Sequence, residues 1–213
     1  MLKKLVVWGA SGHALVVADI LRLGCEYNVV GFLDDISSEQ KNRLLCDLPV
    51  FAGRNFMQDL MRSGVYHVIF GFGNCEARLN LAKWSQGQGF SIATAIHPNA
   101  TVAAGVSVGP GTVIAAGAVV NPGARIGENV IVNTCASVDH ECVLDDGVHI
   151  CPGAHLAGRV SVGRASWVGI GTSVVDRVRI GAGVMIGAGS VVVNDIPDGV
   201  LAYGVPAKVI KRL

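Results

Sequence analysis

A histidine flanked by two carboxylates is the clearest chemical signal in this sequence. It is His140, which follows Asp139 and precedes Glu141. An imidazole exchanges protons near neutral pH, and an adjacent carboxylate can orient the ring and support its charge. This combination can act as a general base. A solvated surface histidine accounts for the same spacing equally well.

A glycine turn near the N-terminus is a second candidate site. The turn Gly9-Ala10-Ser11-Gly12-His13 separates an apolar strand from a helical pattern, and amides at a helix N-terminus can hold phosphate oxygens. The full dinucleotide fingerprint is absent because Ser11 stands where its second glycine should be, so the turn alone is a weak signal. Asp34 or Asp35, about twenty residues further on, could reach a ribose or a base. A plain tight turn with acids at a strand end is the alternative.

Short strands and helices must position this turn. Residues 1–95 hold 10 of the 12 aromatic residues. Their pattern predicts strands at residues 4–8, 29–33, 65–70 and 90–95 and helices at residues 14–23 and 76–85. Alternating strands and helices are typical of a βαβ unit with a parallel sheet. A region of this length has room for only half of a dinucleotide fold, which argues against a complete NAD-dependent enzyme.

The second part of the chain contains an uninterrupted six-residue repeat. From Ile96 to Val192, all 17 positions at intervals of six are Ile, Leu or Val. A period of six excludes an α-helix and is typical of a hexapeptide β-helix, in which each hexapeptide forms one side of a triangular coil. The repeated aliphatic side chain should point inward and stack on its equivalent in the next coil. Glycines, of which 18 of the 28 follow residue 95, would turn the corners.

This geometry predicts where the later histidines point. His140 lies two residues after an inward position and should therefore point out of the prism. His149 and His155 each precede an inward position and could line a second face or a groove between subunits. Three histidines can hold Zn²⁺ between subunits of a β-helix. The spacings between these three do not match the length of a coil, so we expect no metal.

Composition and charge exclude several classes of function. A formal net charge of +1 gives no electrostatic footprint for nucleic acid or an anionic membrane. The 51% of hydrophobic residues and 15% of charged residues exclude a disordered chain. No apolar run is long enough for a membrane span or a secretory signal, so we expect a cytoplasmic protein. The six cysteines form no C-x-x-C pair and are expected to be small buried hydrophobes rather than disulfides.

The repeat and its surroundings resemble a known family. The hexapeptides are similar to those of left-handed β-helix acyltransferases, which are trimers that use acetyl-CoA. The segment from Asn133 through His140 and Glu141 to His149 resembles the active-site stretch of one branch, which comprises the bacillosamine and perosamine N-acetyltransferases and the sialic acid O-acetyltransferases. Ser11-Gly12-His13 matches the glycine turn in the N-terminal domain of that branch.

The resemblance covers essentially the whole chain and implies its domain organisation. Further matching segments are Phe32-Leu33-Asp34-Asp35, Gly73-Asn74 with Arg78, Ile96-His97-Pro98 and Gly204-Val205-Pro206-Ala207-Lys208. We expect an α/β, Rossmann-like domain that binds a sugar nucleotide at residues 1–92 and a left-handed parallel β-helix at residues 93–197. Residues 198–213 would form a C-terminal tail that contacts CoA. The periodicity itself does not reveal the handedness.

The resemblance also implies a role for each candidate residue. His140 is the implied general base, Glu141 supports its imidazole, Asn133 shapes the acetyl pocket and His149 lies near the acetyl carbonyl. The implied contacts to the sugar nucleotide are Gly9, Ser11, Gly12, His13, Asp34, Asp35, Gly73, Asn74 and Arg78. The implied contacts to CoA, in a groove between two prisms, are Gly158, Ile170, Gly187, Pro206 and Lys208. Asp139 departs from the family, which more often has Glu at this position.

We therefore expect an acetyl-CoA-dependent N-acetyltransferase, a homotrimer, that acts on the 4-amino group of a nucleotide-linked amino-dideoxy sugar by direct transfer. O-acetylation of sialic acid or a related sugar is the main alternative. A metal hydratase similar to the γ-type carbonic anhydrases and a non-catalytic sugar-nucleotide-binding protein are further alternatives. The sequence identifies neither the nucleotide nor the sugar, and it does not say which arginine would bind the CoA phosphates.

Overall fold

The N-terminal part of the protein is an α/β sheet, seen in a computed structural model that describes residues 2–36 and 43–213. Its strands lie in the order β3-β4-β2-β1-β5-β6, and all pairs are parallel except β3 with β4. The elements are β1 Lys3–Trp8, α1 Gly12–Gly24, β2 Tyr27–Leu33, β3 Leu44–Leu45, β4 Leu48–Phe51, a 3₁₀ turn Gly53–Phe56, α2 Met57–Arg62, β5 His67–Phe70, α3 Cys75–Gly87 and β6 Ser91–Ile92.

The expected strands and helices of this sheet are present, with shifted ends. Strand β1 lies in the middle because its apolar residues 5–8 are buried on both faces. Strand β6 is only two residues long, although the sequence predicts a strand over residues 90–95. The β3–β4 hairpin and α2 were not predicted, since that part of the chain carries no clear apolar period. None of the helices within the described residues is long and apolar enough to cross a membrane.

The second part of the protein is a left-handed parallel β-helix of two-residue strands. The strands alternate among three sheets, so that each strand pairs in register with the strand one coil further on. Their bounds are β7 Ala95–Ile96, β8 Thr101–Val102, β9 Ser107–Val108, β10 Val113–Ile114, β11 Val119–Val120, β12 Arg125–Ile126, β13 Ile131–Val132, β14 Ser137–Val138, β15 Val143–Leu144, β16 His149–Ile150, β17 His155–Leu156, β18 Ser161–Val162, β19 Trp167–Val168, β20 Ser173–Val174, β21 Arg179–Ile180, β22 Met185–Ile186, β23 Val191–Val192, β24 Val200–Gly204 and β25 Ala207–Arg212.

The repeated aliphatic residues form the core of the prism, which confirms the interpretation of the six-residue repeat. From Ile114 to Val192 every one of them is buried. Ile96 differs, because it lies in the first coil and no coil stacks beneath it, and it is 41% exposed. Stacking in register buries each aliphatic side chain between two equivalents, which contributes about 1.5–3 kcal/mol for each side chain.

From Gly105 to Gly189, each corner of the prism uses one residue in the left-handed backbone region. Positive φ recurs at intervals of six from Gly105 to Gly189, and glycine occupies most of these positions. The exceptions are Asn129, Cys135, Glu141, Arg159, Ala165 and Arg177. An L-residue other than Asn or Asp in this region costs about 1–2 kcal/mol relative to glycine, so most of these exceptions are strained positions.

One face of the prism is covered by the N-terminal domain. This covered face is the part of one sheet formed by β7, β10, β13, β16 and β19, and its outward residues Ala95, Val113 and Ile131 are buried. They share one apolar core with Val17 and Ile20 of α1. The two domains are therefore joined by a continuous core rather than by a linker.

The cysteines are only partly as expected. Cys75, Cys142 and Cys151 are buried, whereas Cys25, Cys46 and Cys135 are exposed. All three exposed cysteines have positive φ, so they occupy turns and corners at the surface rather than inward positions. The expectation of small buried hydrophobes is therefore wrong for these three.

Candidate functional site

The candidate general base lies at an outer corner of the prism, in the turn between β14 and β15. The Nδ1 atom of His140 donates to Oε2 of Glu141 at 3.1 Å, and the backbone N–H of His140 donates to Oδ1 of Asp139 at 2.7 Å. The His140 side chain is 51% exposed, as its predicted outward direction requires. A hydrogen bond from Nδ1–H to a carboxylate leaves Nε2 as the nitrogen that accepts a proton.

The next coil provides the surface on which this imidazole lies. A Cβ placed on Gly158 would come within 2.5 Å of Cε1 and Nε2 of His140. Glycine at this position is therefore what lets the ring lie flat against the backbone one coil further on. We call the group Asp139, His140, Glu141, Gly158 and Arg159 the base corner.

Both carboxylates of the base corner are held in their charged form. Hydrogen bonds from the His140 backbone and from the Asn121 side chain lower the pKa of Asp139. Hydrogen bonds from His140 and then from Arg159 lower the pKa of Glu141. Asp139 thus orients the backbone of the base, while Glu141 orients its ring. The aspartate at position 139, where the family more often has glutamate, is accommodated by Asn121.

A cavity of about 580 Å³ opens beside the glycine turn, at the carboxyl ends of β1 and β2. Five residues expected to contact a nucleotide line it, namely Gly9, Ser11, Asp34, Asp35 and Asn74. The carboxyl ends of parallel strands are where α/β sheets bind ligands. Trp8, Leu33 and Phe72 supply apolar walls, which suit the face of a nucleobase.

The two acidic residues of this cavity differ in their surroundings. Oδ2 of Asp34 accepts from Arg43 at 2.7 Å, and Arg43 also donates to the carbonyl of Ala10 in the glycine turn. Oδ1 of Asp35 accepts from the backbone N–H of Arg54, at the start of the 3₁₀ turn. Arg43 is a cavity residue that the sequence analysis missed, because it has no motif and its partners are distant in the chain.

Three further residues expected at the nucleotide, His13, Gly73 and Arg78, lie in the seam between the two domains, whereas Gly12 is exposed at the start of α1. The seam cluster comprises His13, Gly73, Arg78, His149 and Trp167. His149 is 4% exposed, its ring lies 4.2 Å from that of Trp167 and 6.2 Å from that of His13, and its Nε2 contacts Nδ2 of Asn133 at 3.2 Å. Gly73 allows this packing, since a Cβ there would lie 3.0 Å from the Trp167 ring. Trp167 was also missed by the sequence analysis.

Arg78 is a buried cation that ties the domains together. It is 1% exposed, and its guanidinium donates to the carbonyls of Phe72 and Gly73 on one side and of Asn129 and Gly147 on the other. These bonds use all of its N–H groups. The guanidinium therefore has neither an exposed surface nor a donor to spare for a sugar nucleotide, and the expected contact between Arg78 and that substrate stays a prediction.

The seam keeps both of its histidines neutral. Burial, and to a smaller extent the charge of Arg78, lowers the pKa of His149 to about 3 and that of His13 to about 4. Neither Nε2 of His13 nor Nδ1 of His149 has a hydrogen-bond partner within the described residues. Neutral imidazoles at this position can donate or accept hydrogen bonds without carrying charge.

The residues expected at CoA lie on two different edges of the prism and at its end. Gly158 belongs to the base corner, whereas Ile170 is an exposed residue at the edge next to the covered face. Gly187 lies one coil above that edge, packed against Tyr203. Pro206 and Lys208 are exposed in the β24–β25 hairpin. A single prism therefore does not bring all five residues into one groove.

Comparison with known proteins identifies the fold and the family. The model of the PglD N-terminal domain matches residues 4–85. The structure of PerB from Caulobacter crescentus in complex with CoA and GDP-perosamine aligns with a TM-score of 0.92 and 37% identity, over 99% of this chain and 99% of that protein, and a mutant described as perosamine N-acetyltransferase from the same organism aligns with a TM-score of 0.93. The chain belongs to this family of sugar acetyltransferases. The acetyltransferase domain of PglB from Neisseria gonorrhoeae FA1090, in complex with acetyl coenzyme A, is 38% identical with a TM-score of 0.91, over 99% of this chain and 100% of that domain.

The candidate site contains groups that a sugar acetyltransferase needs. A hydrogen-bonded histidine and carboxylate lie on the surface, and a nucleotide-sized cavity lies in the N-terminal domain. Within the described residues no group of three or more His, Cys, Asp and Glu side chains is placed to hold a metal ion. The arrangement supplies a proton acceptor and a binding cavity, which are the groups that direct acyl transfer from a thioester requires.

The seam histidines should make the stability of the acetyltransferase sensitive to acid. Both have a folded-state pKa below the unperturbed value of about 6.5, so the unfolded chain binds more protons below that pH and the free energy of unfolding falls as the pH falls. Each contributes a slope of at most about 1.4 kcal/mol per pH unit, down to about pH 4 for His13 and further for His149. Urea denaturation between pH 7 and pH 4.5 should show this slope.

His149→Gln should remove about half of that slope. His155→Gln is the matched control, because His155 is an exposed histidine one hexapeptide away in the same prism. Equal slopes for His149→Gln and the wild type would contradict the assignment of acid sensitivity to the seam.

Gly158→Ala should displace the base without unfolding the protein. Gly158 does not have positive φ, so the backbone accepts alanine, but the new methyl group would overlap the His140 ring. We expect kcat for acetyl transfer to fall about 10- to 100-fold, the size of effect that a displacement of about 1 Å can cause. Gly87→Ala, where a Cβ meets no atom within 4 Å, is the control and should leave kcat unchanged. A Gly158→Ala enzyme with wild-type kcat would mean that the ring position does not matter.

Proposed function

We propose that this protein transfers an acetyl group from acetyl-CoA to the 4-amino group of a nucleotide-linked amino-dideoxy sugar. The observation that carries the proposal is the base corner, where the exposed His140 ring is held by Glu141 and rests on Gly158. Its relatives support the substrate class, since the perosamine N-acetyltransferase structure contains CoA and GDP-perosamine. Both substrates are small cytoplasmic metabolites, so the proposal places the protein in the cytoplasm.

The proposed reaction is a direct transfer with His140 as general base. The neutral amine attacks the thioester carbonyl, Nε2 of His140 removes a proton from the amine nitrogen, and the carbon–sulfur bond breaks as the amide forms. The thiolate of CoA leaves and takes up a proton. Glu141 stabilises the protonated imidazole, and a general base of this kind contributes about 10²–10⁴-fold. The N-terminal cavity would hold the nucleotide, which positions the amine for attack.

We propose that the complete site forms between subunits of a homotrimer. His140 lies at an edge of the prism, whereas His149 and Asn133 lie on and beside the covered face of the same chain. The residues expected at CoA are likewise divided between two edges and the C-terminal hairpin. Packing the edge of one prism against the neighbouring chain would bring these groups together, with CoA in the groove between two prisms.

A release assay for free CoA tests the proposed function. The enzyme is mixed with acetyl-CoA and, one at a time, UDP-, GDP- and dTDP-linked 4-amino-4,6-dideoxy sugars and free sialic acid. We expect turnover with an amino sugar, and a loss of about 10²–10⁴-fold in kcat for His140→Ala. Turnover with sialic acid alone would replace N-acetylation by O-acetylation. No turnover with any acceptor would contradict the proposed function.

Co-expression of two inactive variants tests the shared site. We expect His140→Ala and His149→Ala to be inactive alone. If each site takes His140 from one subunit and His149 from its neighbour, random trimers made from equal amounts of both variants regain about one quarter of the wild-type sites. Light scattering checks that a trimer is present. Activity no greater than the sum of the two separate variants would contradict a site built from two subunits.

A further inference from the structure

The base corner contains one further charged residue, Arg159, which the family resemblance leaves among the arginines that could bind the CoA phosphates. Arg159 lies one coil above Glu141, and its Nη2 atom is 2.8 Å from Oε2 of Glu141. The same oxygen accepts the hydrogen bond from Nδ1 of His140. One carboxylate oxygen therefore joins the arginine to the base.

The backbone brings these side chains together. Glu141 and Arg159 occupy equivalent positions in consecutive coils, with φ of 59° and 61°. Equivalent positions in stacked coils are about 4.8 Å apart, and side chains there leave the corner in the same direction. The N–H of Arg159 also donates to the carbonyl of His140 at 2.9 Å, which fixes the register. Both residues adopt a left-handed conformation in which glycine would be less strained.

Solvent exposure makes this contact relevant to the base. The Glu141 side chain is 54% exposed and that of Arg159 is 49% exposed. A free glutamate at a corner samples several rotamers, and only some of them reach Nδ1 of the neighbouring histidine. A second partner on the same oxygen restricts the carboxylate to the rotamer that also holds the imidazole.

We propose that Arg159 is a positioning residue for the general base, which acts by holding the Glu141 carboxylate against His140. This inference rests on the proposed function of His140. It assigns Arg159 to Glu141 rather than to the CoA phosphates. The arginine does not touch the reacting atoms.

Three features of the expected kinetics follow. Arg159→Ala lowers kcat about 2- to 5-fold and leaves KM for acetyl-CoA and for the sugar nucleotide unchanged, a size that matches an exposed ion pair. Arg159→Lys keeps most of the wild-type kcat, because a single donor to Oε2 suffices. In a Glu141→Ala background, Arg159→Ala has no further effect, since its action passes through that carboxylate.

Arg177 provides a matched control. It lies at the same corner one coil higher, also has φ of 61°, and its Nε is 3.6 Å from Asp176 instead of Glu141. Arg177→Ala should keep the wild-type kcat. Thermal unfolding of both alanine variants checks that the fold is intact.

The outcomes separate this inference from the proposed function. The positioning role is supported if Arg159→Ala lowers kcat, Arg159→Lys keeps most of it, and Arg159→Ala has no further effect in the Glu141→Ala background. A raised KM for acetyl-CoA at unchanged kcat, or an equal loss in both backgrounds, overturns it in favour of a contact to the donor. The crystal structure of Arg159→Ala gives a readout that needs no turnover. A Glu141 carboxylate that still contacts Nδ1 of His140 would overturn the inference even if the wild-type enzyme acetylates an amino sugar.

Discussion

The fold depends on one constraint, that each coil of the prism stacks in register on the coil below. Pairs such as Ile114 with Val132 and Val132 with Ile150 place equivalent residues directly above one another. This constraint fills the interior with aliphatic side chains, and it also sets the distances on the surface. His140 lies on Gly158, and Glu141 lies below Arg159, because residues of consecutive coils meet at a fixed offset. The site is thus a product of the repeat rather than an insertion into it.

Much of this architecture could be predicted from the sequence. The aliphatic period of six predicts the prism. The place of His140, two residues after an inward position, predicts that its side chain is exposed. The series Ala95, Val113, Ile131 also predicts the covered face. Apolar residues in outward positions at one-coil intervals indicate a face that another element covers. The same series continues through His149 and Trp167, and would have placed both in the seam.

Other features could not be predicted, because they depend on contacts between distant parts of the chain. Arg78 follows the Gly73-Asn74 motif of the N-terminal domain. Its guanidinium is buried because it donates to the carbonyls of Asn129 and Gly147, in two coils of the prism. Arg43 reaches the glycine turn across the sheet. The separation of His140 from His149 follows from the number of corners between them. With six residues per side, the number of corners between the two histidines can be counted from the sequence. Which edge of the prism the N-terminal domain leaves uncovered is known only from the structure.

Because the apolar core is shared with the N-terminal domain at one end only, the two ends of the prism differ in local stability. Repeat proteins fray from their ends, because a terminal coil has only one neighbour. Here the first coils, at Ala95 and Val113, are packed against α1, whereas the last coils are closed by β24, which pairs with β22, and by the exposed strand β25. Local opening should therefore begin at the C-terminal end and travel toward the N-terminal domain. Amide exchange in this protein would form a gradient along the prism axis, with the slowest amides in the coils that touch α1.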